Sequence, residues 1–180
     1  MFKENNFAFI DSNNLYQSLI KDIEKGGQKI YSGWSLDYKR LRNYLRDKYR
    51  IQKAFLFIGF IPGNQAMYTS LQENGYICVF KPTLELHNGV IKGNVDAELV
   101  LHSMIEYQNY DKAVIVSGDG DFYCLVDYFL KNKKLKKVLV PNQRNYSCLL
   151  DRLSTPENNI LDFMNGLKEK LEYKKSSRRD

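Results

Sequence analysis

Short apolar runs alternate along the chain with segments whose apolar residues recur every three or four positions. Residues 7–10, all apolar, read as a buried strand. Asp11, Ser12, Asn13 and Asn14 end it, and Leu15, Leu19, Ile20 and Ile23 begin a helix. Residues 25–33 read as loop. Ser35 is placed to cap a helix running to about Tyr49, with Leu41, Tyr44 and Leu45 facing inward. Residues 54–58 form a second apolar run, 64–74 a helix stopped by Gly75, and 76–80 a third strand. A loop with Pro82 and Gly89 leads to a helix over 94–107. Residues 113–116 predict a strand, 122–131 a helix and 138–140 a strand. Residues 146–153 read as a short helix, and 160–171 as a last helix or a strand followed by one. Apolar strands alternating with amphipathic helices predict an α/β fold: a mostly parallel sheet with helices on both faces.

Composition supports a folded domain rather than a disordered one: 43% of the 180 residues are hydrophobic and 13% aromatic. No run of apolar residues is long enough to predict a membrane span, and the first residues lack the pattern of a signal peptide. Three cysteines, without a Cys-x-x-Cys, argue for a reducing, cytoplasmic setting and against a zinc site. Cys78 and Cys124 lie in apolar runs and read as small core residues. A net charge of +6 and a pI near 9.1 favour an anionic partner, nucleic acid first among them.

The chemistry concentrates in acids that end strands. In an open parallel sheet, ligands bind beyond the carboxyl ends of the strands. Asp11 follows the first strand; Asp119 and Asp121 follow the strand ending near Ser117; Asp96 opens the helix that feeds that strand. All four are expected on one rim. Taken singly, Asp119 or Asp121 can cap a helix, Asp96 can complement a helix dipole, and Asp11 with Asn13 and Asn14 can form an Asx-rich turn. Together they make a cluster that needs a cation, a shared proton or open water. An all-oxygen donor set suits Mg²⁺ or Mn²⁺, and such ions assist phosphodiester hydrolysis.

Three motifs carry a family resemblance. Phe9-Ile10-Asp11-Ser12-Asn13-Asn14-Leu15, Lys92-Gly93-Asn94-Val95-Asp96 and Ser117-Gly118-Asp119-Gly120-Asp121-Phe122 resemble in order and spacing the motifs of the NYN domain family, the LabA-like branch of the PIN-like ribonucleases. The resemblance covers about Phe7 to Val140 and implies a PIN-like three-layer α/β/α fold, with a mostly parallel sheet of about five or six strands; the domain is expected over residues 1–165. Residues 166–180 are then a basic helix end and disordered tail. It also implies metal-dependent cleavage of single-stranded or exposed RNA. Asp11, Asp96 and Asp119 match the family's metal ligands, Asp121 a fourth acid, and Asn14 and Ser117 supporting polar residues. Ser12 stands where the family usually has Gly.

Basic residues are less specific. Lys39 to Lys53 supply a cluster on one helix and its exit, for which a solvated face is the plain account. Lys131 to Lys137 fall at the opposite rim. Lys92, Asn142 and Arg144 lie near the acid rim and are candidate RNA contacts. Tyr31, Trp34 and Tyr38 either stack unpaired bases or pack on the sheet. Rival functions are a non-catalytic RNA-binding module and a haloacid-dehalogenase-type phosphatase. The latter needs Asp-x-Asp after the first strand, where this chain has Asp11-Ser12-Asn13. RNA target, protein partner and oligomeric state, including a homo-oligomer, stay open.

Overall fold

The computed structural model describes residues 4–82, 84–85, 91–92 and 95–174, and for 82, 84–85 and 91–92 the backbone alone. Along the chain come β1 (Asn6–Asp11), α1 (Ser12–Ile20), β2 (Ile23–Lys25), β3 (Gln28–Tyr31), α2 (Tyr38–Tyr49), β4 (Ile51–Phe60), α3 (Gln65–Glu73) and β5 (Tyr76–Pro82). There follow β6 (Leu84–Glu85), β7 (Ile91–Lys92), α4 (Asp96–Ile105), β8 (Ala113–Val116), α5 (Tyr123–Lys131), β9 (Leu135–Val140), α6 (Cys148–Leu153), β10 (Leu161–Phe163) and α7 (Lys168–Leu171).

Six strands form the central sheet in the order β10-β9-β8-β1-β4-β5, and every neighbouring pair is parallel. The strands are apolar on both faces because both faces are covered. Phe7, Phe9, Phe55 and Phe57 point toward Leu99 of α4, Leu125 and Phe129 of α5 and Leu150 of α6. The alternate residues Ala8, Ile10, Ala54 and Leu56 point toward Leu15 of α1, Leu41 and Leu45 of α2 and Leu171 of α7. This is the α/β/α layering, with six parallel strands, expected from the sequence. Phe7, Phe9 and Phe57 are fully buried, each contributing roughly 1.5–3 kcal/mol from apolar burial.

Topology puts β1 between β8 and β4, with Ile10 opposite Val116 and Asp11 opposite Phe57. The residues just beyond β1 and β8 are therefore neighbours. Helix α4 leads into β8 and starts on the same rim.

Local details differ from the sequence reading. Residues 25–33 are not all loop: β2 and β3 pair as an antiparallel hairpin, turning at Gly26 (φ +59°) and Gly27 (φ +74°). Two consecutive positive φ angles suit a two-residue hairpin turn, and glycine adopts them without a Cβ clash. The strands are short and mostly exposed, so alternation did not reveal them. Asp37, not Ser35, caps α2: its carboxylate accepts the Arg40 N–H at 3.0 Å. Cys124 is exposed rather than in the core, because Leu125, Val126 and Phe129 occupy the buried stripe of α5. Leu171 of α7 is buried, and the Asp37 N–H donates to its carbonyl at 2.8 Å. Among the described residues, no helix is long and apolar enough to cross a membrane.

Candidate metal centre

The Ser117–Phe122 stretch is shaped by its glycines. A Cβ on Gly120 would fall 2.3 Å from Ser147 Oγ, and one on Gly118 would fall 3.0 Å from Tyr146 Cβ. Both glycines are there for close approach: the segment before α6 lies against the turn, with the Ser147 N–H donating to the Gly118 carbonyl at 2.9 Å. Asp119 has extended backbone and caps a single 3-10 turn (Gly120–Phe122), its Oδ1 accepting the Asp121 N–H at 3.0 Å.

That cap does not exclude a ligand role, because Asp119 also belongs to a cluster. One carboxylate oxygen from each of Asp96, Asp119 and Asp121 lies within 4.8 Å of the other two. Asp96 and Asp119 are half-buried and Asp121 is exposed. At that separation each like-charge pair repels by roughly 3 kcal/mol at an effective dielectric of about 20, and less where water screens Asp121. Three carboxylates converging in this way, with no Cys or His in the set, fit a hard divalent cation such as Mg²⁺ or Mn²⁺.

Asp11 stands behind this trio rather than in it. It is 3% exposed. Its Oδ1 caps α1 by accepting the N–H groups of Asn13 (3.1 Å) and Asn14 (3.0 Å). The Ser117 hydroxyl donates to its Oδ2 at 3.3 Å. Burial pushes the Asp11 carboxyl up from its ordinary value to about 6, helped by the charges of Asp96 and Asp119 and opposed by the Asn14 N–H and Ser117 hydroxyl. Asp11 is thus electrostatically coupled to two members of the trio.

The supporting residues join the ends of β1 and β8. Ser117 Oγ accepts the Asp119 N–H at 3.1 Å while donating to Asp11, and Asn14 Oδ1 accepts the Gly118 N–H at 2.9 Å. Both side chains therefore hold the acid-bearing turn.

The candidate RNA contacts separate. Arg144 is exposed on the loop after β9. Asn142 requires correction: it is fully buried, its Nδ2 donating to the Ser18 carbonyl at 2.9 Å and its Oδ1 accepting the Arg144 N–H at 2.9 Å. It anchors the loop that carries Arg144 and presents nothing to a phosphate. The Lys92 side chain, with Gly93 and Asn94, lies outside the described residues, as does His87. Lys131, Lys136 and Lys137 pair with Asp127, Glu4 and Asp162. Arg42 of the α2 cluster donates to the carbonyls of Gly75, Ile51 and Gln52. Trp34 is core, and the Tyr31 hydroxyl donates to the Leu19 carbonyl.

The sequence reading did not single out Tyr16, Gln17 and Met67, which line a hollow with Asn13 and Tyr38. The usable signal was the spacing of Asn13, Tyr16 and Gln17, which puts them on one helical face away from buried Leu15 and Leu19.

Comparison with known proteins bears on the family and the fold. The low amplitude and bright protein LabA of Synechococcus elongatus (strain ATCC 33912 / PCC 7942 / FACHB-805) is 31% identical over 124 residues, 63% of this chain and 61% of that protein. The similarity thus spans less than two thirds of LabA's length. A crystal structure of a protein of unknown function from Vibrio parahaemolyticus RIMD 2210633 has the same fold, with a TM-score of 0.67 and 20% identity over 95% of this chain and 98% of its own. The sequence profile of the NYN domain matches residues 7–153. That span includes all of β1 but its first residue, α4, β8 and every acid of the rim, and the chain belongs to the NYN domain family.

Proposed function

We propose that this protein is a metal-dependent endoribonuclease that hydrolyses phosphodiester bonds of single-stranded or exposed RNA. The observation that carries this reading is the convergence of Asp96, Asp119 and Asp121 at the carboxyl rim of a parallel sheet in a chain of net charge +6. Membership of a PIN-like nuclease family supports the RNase-type chemistry.

Asp96, Asp119 and Asp121 would hold Mg²⁺ or Mn²⁺, with Asp11 as a further carboxylate behind them. When bound, the cation supplies Lewis-acid stabilisation of phosphoryl oxygens and acidification of water. The chain's own contribution is positioning. The Ser117 bonds and the Asn14 bond to Gly118 fix where Asp119 and Asp121 project. Burial raises the Asp11 carboxyl to about 6, so without a metal it takes up a proton as pH falls through that value. The basic surface favours approach of the polyanion, and exposed Arg144 is available for a phosphate.

Cleavage of a mixed-sequence RNA, titrated with Mn²⁺ and stopped with EDTA, tests the reading. Asp119→Ala should lower the rate by at least about a hundredfold, since loss of even an outer-shell partner costs roughly 10–100-fold in a metal site. A variant that cuts at the wild-type rate in saturating Mn²⁺ would overturn the assignment. A second reading, a non-catalytic RNA-binding module, draws on the engagement of both Asp11 oxygens in hydrogen bonds within the protein. It predicts RNA retention with no metal-dependent fragments.

A further inference from the structure

A hollow of about 500 Å³ opens beside the acid cluster, within the roughly 300–1,000 Å³ range of small-molecule pockets. It adjoins two of the rim acids along the chain: Ser12 and Asn13 in its wall directly follow Asp11, and Val95 directly precedes Asp96. Its wall comes from the first turns of α1, the start of α2, the end of β4 and α3.

The lining has a definite chemistry. Tyr16 is 52% exposed and Met67 45% exposed, so both present apolar surface to whatever enters. Tyr38 is held from behind by Tyr76, edge-on at 6.1 Å between ring centroids, and the Tyr76 hydroxyl donates to the Tyr38 carbonyl at 2.8 Å. Burial, with a smaller contribution from Tyr16, pushes the Tyr38 phenol up to about 12, so it stays neutral. Asn13 and Gln17 add side-chain amides, each offering both donors and an acceptor. None of the described residues lining the hollow is Lys, Arg, Asp or Glu. Among the described residues, a phosphate would find no counter-charge there. A flat, neutral heterocycle with hydrogen-bonding edges would find a ring to stack on, a polarizable thioether and two amides.

We propose that this hollow receives one unpaired nucleobase of the RNA, stacked on Tyr16, beside the scissile phosphate at the acid cluster. The inference rests on the RNA-cleavage reading above for its ligand and deepens it by assigning a base subsite. It would also favour single-stranded RNA: a base inside a duplex must first unpair and unstack to enter, a cost that an unpaired base largely avoids.

The test measures affinity and turnover separately. A short fluorescein-labelled single-stranded RNA is titrated with full-length protein in EDTA, and cleavage of the same RNA is followed in Mn²⁺. Tyr16→Ala should raise Kd and KM by about five- to hundredfold, the cost of losing one stacked base. Tyr16→Phe, which keeps the ring, should bind like the wild type. Met67→Ala should weaken binding in the same direction. An abasic ribose–phosphate chain of equal length should bind wild type and Tyr16→Ala alike. Wild-type affinity in both Tyr16→Ala and Met67→Ala, with cleavage intact, overturns the base subsite and leaves the nuclease reading standing. Tyr16-dependent binding without cleavage removes the nuclease and keeps the subsite. Wild-type protein that holds no RNA in either buffer ends both.

Discussion

At the scale of single residues, the burial of Asp11 carries an electrostatic penalty. Its carboxyl is raised from 3.8 to about 6, so the folded state holds this proton more tightly than the unfolded chain does. In metal-free protein the stability from this group is fully present below about pH 4 and is lost as pH rises through about 6. Near pH 8 its charge costs at most about 3 kcal/mol. Asp11→Asn keeps an oxygen for the Asn13 and Asn14 N–H groups but removes the charge. The metal-free variant should exceed wild type in unfolding free energy by up to about 3 kcal/mol near pH 8, and should match it below about pH 4. Urea titrations at several pH values check this; a difference independent of pH would refute the burial account. The same residue shows what local sequence conveys. Asp11-Ser12-Asn13-Asn14 announced the end of a strand and an Asx-rich turn; that Asp11 caps α1 came from the structure. That both carboxylate oxygens would be engaged in hydrogen bonds followed from Ser117, 106 positions away.

At the scale of elements, the turn after β8 is the most constrained piece of the site. Gly120→Ala would drive a Cβ to 2.3 Å from Ser147 Oγ and 2.9 Å from Ser147 Cβ, and its small residue leaves no rotamer that clears both. The expected loss is roughly 1–3 kcal/mol of overpacking, seen as a lower Tm, together with weaker Mn²⁺ binding as Asp119 and Asp121 shift. Gly120→Ala combined with Ser147→Gly should recover part of the Tm, at the cost of the serine's cap on α6. An unchanged Tm in the single variant would mean that the two segments do not pack as described. The apolar strands and the α2 stripe of Leu41 and Leu45 were legible because they bury continuous or periodic surface. The β2–β3 hairpin was not, since its strands are short and mostly exposed and its local signal is the Gly26–Gly27 turn.

At the scale of the whole molecule, the cation is expected to be part of the fold's stability. Mn²⁺ at about a hundredfold over its Kd should add about 2.7 kcal/mol to unfolding, read as a rise in Tm that EDTA reverses. Asp119→Ala should abolish that rise, and a wild-type Tm indifferent to Mn²⁺ would count against the site. Strand order is also a property at this scale. The sequence by itself determined the run of strands and helices, the covered two-faced sheet and the placing of four acids at strand and helix ends, because periodicity and burial are written locally. Only the tertiary structure decided that β1 lies between β8 and β4, and that Asp96, Asp119 and Asp121 meet while Asp11 sits buried behind them. It likewise decided that Asn142 turns inward. Those outcomes depend on which distant segments pack together, and pairing across the sheet is fixed by the fit of whole faces, which no short stretch of chain encodes.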